Sequence, residues 1–320
     1  MDNTYNPFDK MQFTYNNCFL CGSKDVSQKT LEHVFPKWLL KRFELWNKQI
    51  QLLNGTLISY RQLTIPCCNK CNNEYLSRIE NKFRRAVDNG YDAFLNLDEE
   101  TIFLWSAKIL YGLLYKQLSL PFDRKSPRLG TITSPDLLEK YRILHLLLQG
   151  ARYKTKYEGK PWSIFIFQSQ EYKDERDFDY FDGLFSLVLG IRIGRVSFVI
   201  CFEDAGIQKV MFEDYFRDLQ EISLHPIQFK EIIAKVHYKQ ILFRKNPFFM
   251  VVEGKENDRT VLVNQPTGDL FDEWDFEDYS KILSLFFKPY GLHLKDIYHP
   301  PGKTISFLYG EEGEVKHIPK

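Results

Sequence analysis

The chain has 320 residues, 44% of them apolar and 16% aromatic, with 43 Lys/Arg against 42 Asp/Glu for a net charge of +1. This composition excludes a disordered or low-complexity chain and provides apolar surface for one large core or two modest ones. No run approaches the roughly 20 consecutive apolar residues of a membrane span, and MDNTYNPFDK lacks the basic, apolar and small-residue order of a secretory leader, so the expected setting is a soluble protein of the cytoplasm.

The near-neutral total hides an asymmetry. Residues 1–90 carry 13 basic and 8 acidic side chains, a balance of +5, whereas residues 91–320 carry 30 and 34, a balance of −4. The basic end is also the cysteine end, a weak electrostatic footprint for nucleic acid that solvated surface charge explains about as well.

Three regions follow in chain order. The first, 13–90, holds two CxxC knuckles, Cys18/Cys21 and Cys68/Cys71. Within it PKWLLKRFELW, 36–46, predicts a helix with Pro36 in its first turn. IQLLNGTLISY predicts a hairpin turning at Asn54-Gly55. From Asn72 onward, Tyr75, Leu76, Ile79, Phe83 and Val87 recur at three- and four-residue steps, an amphipathic helix ended by Asn89-Gly90. The second region, 91–150, reads as a helical connector whose last helix starts at the N-cap Ser134 and stops at Gly150. The third, 151–320, alternates elements: strands in WSIFIFQ, LFSLVLGIRI and VSFVICF, a helix from Pro226 to Phe243, strands in PFFMVVEG and TVLVNQP, a helix near 276–287 and a final strand TISFLYG. The expected fold class is α+β, with a mainly antiparallel sheet in the C-terminal domain. That domain shows no recognisable catalytic motif; targeting, regulation or assembly are the roles left to it.

The knuckles carry the clearest chemistry. CxxC puts two thiolates on one tight turn, and two such turns complete a tetrahedral zinc site with no open position, so the metal is structural and supplies folding free energy. Five of the six cysteines fall between residues 18 and 71, which does not fit a secreted disulfide framework. Cys67 could replace Cys68 as a ligand with one more residue in the turn, although the spacing favours Cys68. Cys201, in VSFVICF, reads as a core thiol.

Between the knuckles lies Glu32-His33, and directly after the second comes Asn72-Asn73. CFLCG, LEHVFPKWLL and PCCNKCNNEYLSRIE, in that order, resemble the HNH endonuclease superfamily, more closely its zinc-containing members with an EHxFPKWL segment and a CxxCNN helix start. The resemblance covers about residues 18–85. It implies a ββα-metal fold with one divalent cation between the first strand and the helix. It makes His33 the general base, Glu32 a ligand of the catalytic metal and Asn72 the ligand at the third motif position. The family's middle Asn has no counterpart: that position is Leu63, with Gln62 beside it, and Asn73 or Asn69 are the candidate substitutes.

The residue types agree with these roles independently. An imidazole titrating near neutrality can take a proton from water, and carboxylate and amide oxygens are hard donors suited to Mg²⁺ or Mn²⁺. Asn73, Ser77, Glu80 and Arg84 share one polar stripe of the predicted helix, whose N-terminus favours a phosphate. Blander readings stand beside these. His33 could be a hydrogen-bonded structural residue, Glu32 a partner of Lys29 or Lys37, Asn72 a helix cap and Glu80 a partner of Arg84. Lys70, Arg78, Lys82, Arg84 and Arg85 are phosphate-contact candidates or a solvated helix face, and the remaining histidines read as core or surface.

The expected function is a metal-dependent endonuclease acting on DNA, with RNA not excluded. One ββα site cuts one strand, so a homo-oligomer is an expected form, and a bacterial or phage defence system with a partner protein is an expected setting by analogy. The alternatives are a zinc-stapled nucleic-acid-binding module without turnover and a protein-interaction scaffold.

Overall fold

The computed structural model describes residues 5–9, 13, 15–24, 29–174, 177–255 and 258–320, with Lys29 described by its backbone alone. The chain begins with strand β1 Lys29–His33, helix α1 Lys37–Arg42, strands β2 Gln49–Gln51 and β3 Leu57–Ser59, and β4 Thr64–Cys68. A π-helical turn, Cys71–Leu76, runs into α2 Ser77–Asp88, followed by α3 Tyr91–Leu95, α4 Glu99–Gln117, α5 Pro135–Glu139 and α6 Arg142–Leu148. Then come β5 Lys154–Glu158, β6 Ser163–Ser169, β7 Phe178–Gly183, β8 Val188–Ile193, β9 Val196–Cys201, α7 Ile207–Arg217, β10 Ser223–Leu224 and α8 Pro226–Ile241. The chain closes with β11 Phe248–Glu253, β12 Asp258–Asn264, α9 Phe276–Phe287, α10 Leu294–Ile297, β13 Tyr298–His299 and β14 Lys303–Thr304. The fold is mixed α+β and its sheets are mainly antiparallel. No helix among the described residues is long and apolar enough to cross a membrane.

The chain divides into two compact units. The first comprises Met1–Ala86, Leu97–Lys156 and Val251–Val261, so α4, α5 and α6 belong with the knuckles. Its centre is α4, buried continuously from Thr101 to Tyr115, as a helix apolar on every side requires. Asp98 caps α4 by accepting from the Thr101 amide (2.9 Å) and hydroxyl (2.8 Å). Gly112 lets α4 come close to the strands: a Cβ there would sit 3.2 Å from Ile65 Cδ1 and 3.3 Å from Val34 Cγ2. β1 pairs antiparallel with β4, from Lys29↔Cys68 to His33↔Thr64, and Val34 N donating to Leu63 O (2.8 Å) extends the ladder. Phe83 of α2 stacks on Trp105 of α4 at 3.8 Å between ring centroids.

The second unit comprises Val87–Asn96, Tyr157–Met250 and Leu262–Lys320. Its sheet has the order β10-β6-β9-β8-β7; only the short β10–β6 pair is parallel. Every residue of β8 and β9 is buried, which explains why their sequences are near-continuous apolar runs. Helix α8 lies against this sheet at Gly190, where a Cβ would stand 2.6 Å from Ile233 Cδ1.

Several expected elements are present: the hairpin β2–β3 around Gly55 (φ 80°), α2 with Gly90 (φ 91°) after it, the Ser134 cap, and strands and helices at most of the C-terminal positions. Others differ. The first helix stops at Arg42 rather than 46, with Pro36 as its N-cap and Glu44 in the left-handed region (φ 52°). The helix expected to stop at Gly150 breaks around Lys140–Tyr141, and Gly150 sits inside a 3-10 turn, Gln149–Ala151. The expected strand TISFLYG is a strand only at Lys303–Thr304. Beyond it the chain bonds to side chains of α8: Glu231 takes the Ser306 hydroxyl and Phe307 N–H, and Gln228 donates to Phe307 O and Lys316 O.

Candidate functional site

The site begins with the thiols. One Sγ from each of Cys18, Cys21, Cys68 and Cys71 lies within 4.8 Å of the others, and Cys21 and Cys68 approach to 3.6 Å, close to the about 3.8 Å separating two sulfurs on one tetrahedral zinc. Each knuckle is a turn closed by its own backbone: Gly22 N donates to Cys18 O (2.8 Å) and Cys18 N to Ser23 O (3.0 Å), while Cys71 N points at Cys68 Sγ (3.4 Å). Gly22 stands at φ +70°, and a Cβ there would collide with the Tyr5 ring, so the first turn needs its glycine. The donor set is compatible with zinc. Hydrogen bonds from Cys21, Cys67 and Cys71 lower the Cys18 pKa, and the pairing with Cys18 pushes Cys21 up to about 12 and raises Cys71. Without a cation Cys21 and Cys71 thus hold their protons around the more acidic Cys18; a divalent ion supports four thiolates. Cys68, not Cys67, belongs to the cluster. Cys67 is a buried neighbour whose thiol is pushed up by its bond to Cys18 and by burial.

Helix α6 grips the first knuckle from behind. His145 Nε2 meets Phe19 O at 3.3 Å and Gln149 Nε2 donates to Leu20 O at 2.8 Å. His145 is fully enclosed, and burial holds its pKa down at about 4, so it packs as neutral imidazole. Of the two expectations for this histidine, core or surface, it is core.

Glu32 and His33 form the end of β1. Residues alternate faces along a strand, so Thr30 and Glu32 share one side and Leu31 and His33 the other. Leu31 is 62% exposed, which identifies the outer face. Glu32 is buried and ion-paired through Oε1 to Lys108 Nζ of α4 at 2.7 Å. Lys108 was absent from the sequence-based candidates, and it replaces Lys37 as the partner of Glu32; the Lys29 side chain lies outside the described residues. The available signal was a single charge in the apolar run TIFLWSAKILYGLLY, since an enclosed lysine requires partners.

His33 is half-buried beside Trp46, 5.5 Å between ring centroids, and its buried Nδ1 has no hydrogen-bond partner among the described residues. Burial, then the Lys37 ammonium, lowers its pKa. A neutral ring with an unused nitrogen is a proton acceptor. Glu80 of α2 joins the same field: burial raises its carboxyl, Glu32 adds to the rise, and Lys108, Arg84 and Lys37 oppose it. No group of three or more His, Cys, Asp or Glu among the described residues converges as tightly as the four thiols. Glu32, His33 and Glu80 are therefore a looser group.

Asn72 lies on the inner side of β1. Thr30 Oγ1 donates to Cys67 O (3.0 Å), so it accepts from Asn72 Nδ2 (2.7 Å), leaving Oδ1 as the free end of that amide. Asn73 is exposed and donates to Asn69. Leu63 is buried, and Gln62 is bound to Ser59 (2.8 Å), so neither of these two side chains reaches His33. Of the phosphate-contact candidates, Lys82 is paired with Asp98, Lys70 and Arg78 lie over the Tyr75 ring at 5.8 and 5.7 Å, and Arg85 is exposed. Arg84 lies over Trp38 at 6.0 Å, and Arg42 of α1 over the same ring at 5.0 Å.

Comparison with protein-family models, curated proteins and solved structures gives no match for this chain.

Proposed function

We propose that the first unit is an HNH-type ββα-metal nuclease module that hydrolyses phosphodiester bonds in DNA. The observation that carries the reading is the end of β1: a half-buried imidazole with its pKa lowered, beside an acidic residue, on a strand paired with β4, whose last residue and the turn leading into α2 bring Cys68 and Cys71 to the four-thiol cluster. The order β1, β4, α2 supports the ββα arrangement. His33 takes the proton of the attacking water. Glu32 and the free Oδ1 of Asn72 hold Mg²⁺ or Mn²⁺, with Glu80 as a further oxygen donor from α2; these are hard ligands that fit such an ion. When bound, that ion supplies positive charge to the phosphate and the leaving oxygen. Arg42 and Arg84, ordered on Trp38, and Lys37 give the strand a cationic path to the site.

The test is incubation of the purified protein with plasmid DNA, or with RNA, in Mg²⁺ or Mn²⁺. Metal-dependent nicking that falls by about 10²–10⁴-fold in His33→Ala, with an unchanged circular dichroism spectrum, is the expected result. A second reading is favoured by one observation, that His33 Nδ1 has no hydrogen-bond partner among the described residues to orient the ring: a zinc-stapled nucleic-acid-binding module. Retained binding with no cleavage in any metal refutes the nuclease and supports that module.

A further inference from the structure

Lys108 is the one charged residue in the buried stretch of α4 from Thr101 to Tyr115. Its ammonium donates to Glu32 Oε1 (2.7 Å), His33 O (2.9 Å) and Val34 O (3.1 Å). An ammonium has three hydrogens, and here each has an acceptor. Lys108 therefore has none left for a substrate, and it acts only through Glu32 and the strand end. Gly112, one turn further along α4, permits the close approach to Val34 and Ile65 that brings the lysine within reach.

The charges around Glu32 make this lysine consequential. The charge of Glu32 is matched by the Lys108 ammonium at 2.7 Å, and Lys108, Arg84 and Lys37 also act on the carboxyl of Glu80. A divalent cation entering alone meets a carboxylate already neutralised, whereas one entering with a phosphodiester brings its own negative charge. We propose that Lys108 is a positioning residue that fixes Glu32 and keeps the site's affinity for divalent metal low until nucleic acid supplies the compensating negative charge. This rests on the metal-site reading above and adds that metal and nucleic acid bind cooperatively, each strengthening the other by the same factor.

The experiment titrates Mn²⁺ into the full-length, zinc-loaded protein, followed by electron paramagnetic resonance, with and without a cleavage-resistant phosphorothioate duplex. In the wild type, the duplex is expected to tighten Mn²⁺ binding by about tenfold or more. Lys108→Gln keeps N–H donors and removes the charge that repels a cation; without duplex it is expected to bind Mn²⁺ about tenfold more tightly than the wild type. Equal Mn²⁺ affinity in the wild type with and without duplex overturns the proposal, and this arm stands even if the variant fails to fold. A folded Lys108→Gln that binds no more tightly overturns it as well. Absence of Mn²⁺ binding in every condition removes the metal site itself, whereas measurable but unaltered binding removes only the role of Lys108.

Discussion

In the second unit, β8 and β9 are buried along their whole length and α8 lies directly on the sheet at Gly190. In the first, backbone carbonyls are held by long side chains: His33 and Val34 by Lys108, Phe19 and Leu20 by His145 and Gln149, while four thiols stand where an apolar cluster would otherwise be. Both units bury apolar elements, but the first adds a four-thiol cluster and an enclosed ion pair beside its strand end. Irregular backbone needs this added polar support, because turns and strand ends leave polar groups that a purely apolar core cannot satisfy.

Removing the metal breaks the comparison most severely. Chelation, or Cys68→Ser, is expected to cost the first unit about 10 kcal/mol of metal-linked stability, and calorimetry should show its transition lost while that of the second unit persists. Metal analysis should give one zinc per chain; a protein that withstands chelation unchanged refutes the clamp. The buried ion pair comes next. Lys108→Met or Glu32→Leu alone should lower stability in urea by about 3–5 kcal/mol, because each strands an enclosed charge, whereas the double variant should recover most of that loss. Simple additivity would show that the two charges do not depend on each other.

The smallest effect concerns acid. His237 of the second unit is held near pKa 4 by burial, against about 6.5 in an unfolded chain. The unfolded state then binds the extra proton more readily, so stability from this group is complete above about pH 6.5 and is lost as pH falls toward 4, by about 3 kcal/mol. Its ring lies 2.8 Å from Ser186 Oγ, with Phe181 and Phe286 beside it. Denaturant titrations at pH 7 and pH 4 should show this slope reduced in His237→Leu; an equal slope in both proteins rules the histidine out as its source.

Much of the architecture was legible in local signals. Asn54-Gly55 marked the hairpin and Ser134 a cap, because each acts through residues close in sequence; the knuckles converge across 47 residues, yet each CxxC turn is itself a local signal. What escaped depends on partners far along the chain. Helix α7 went unread, and its start is fixed by Asp204, which accepts from Ser163 Oγ (2.6 Å) as well as from Gly206 and Gln208 N–H. TISFLYG alternates like a strand, yet Glu231 and Gln228 capture its backbone. At the candidate site, Glu32, His33 and Asn72 were readable from a short segment order, whereas Lys108 lies 76 residues from Glu32 and pairs with it only through the packing of α4.

The two halves of the sulfur clamp emerge from the ribosome well apart, since 47 residues separate Cys21 from Cys68. During synthesis the first turn must wait, with its thiols exposed, until the second appears, and the helices bearing Lys108 and His145 come later still. Joining the two turns closes a long loop, at an entropic cost that grows slowly with its length. A chain truncated before Cys71 keeps an incomplete set of the four thiols, so any clamp they form must wait for the second turn to be made.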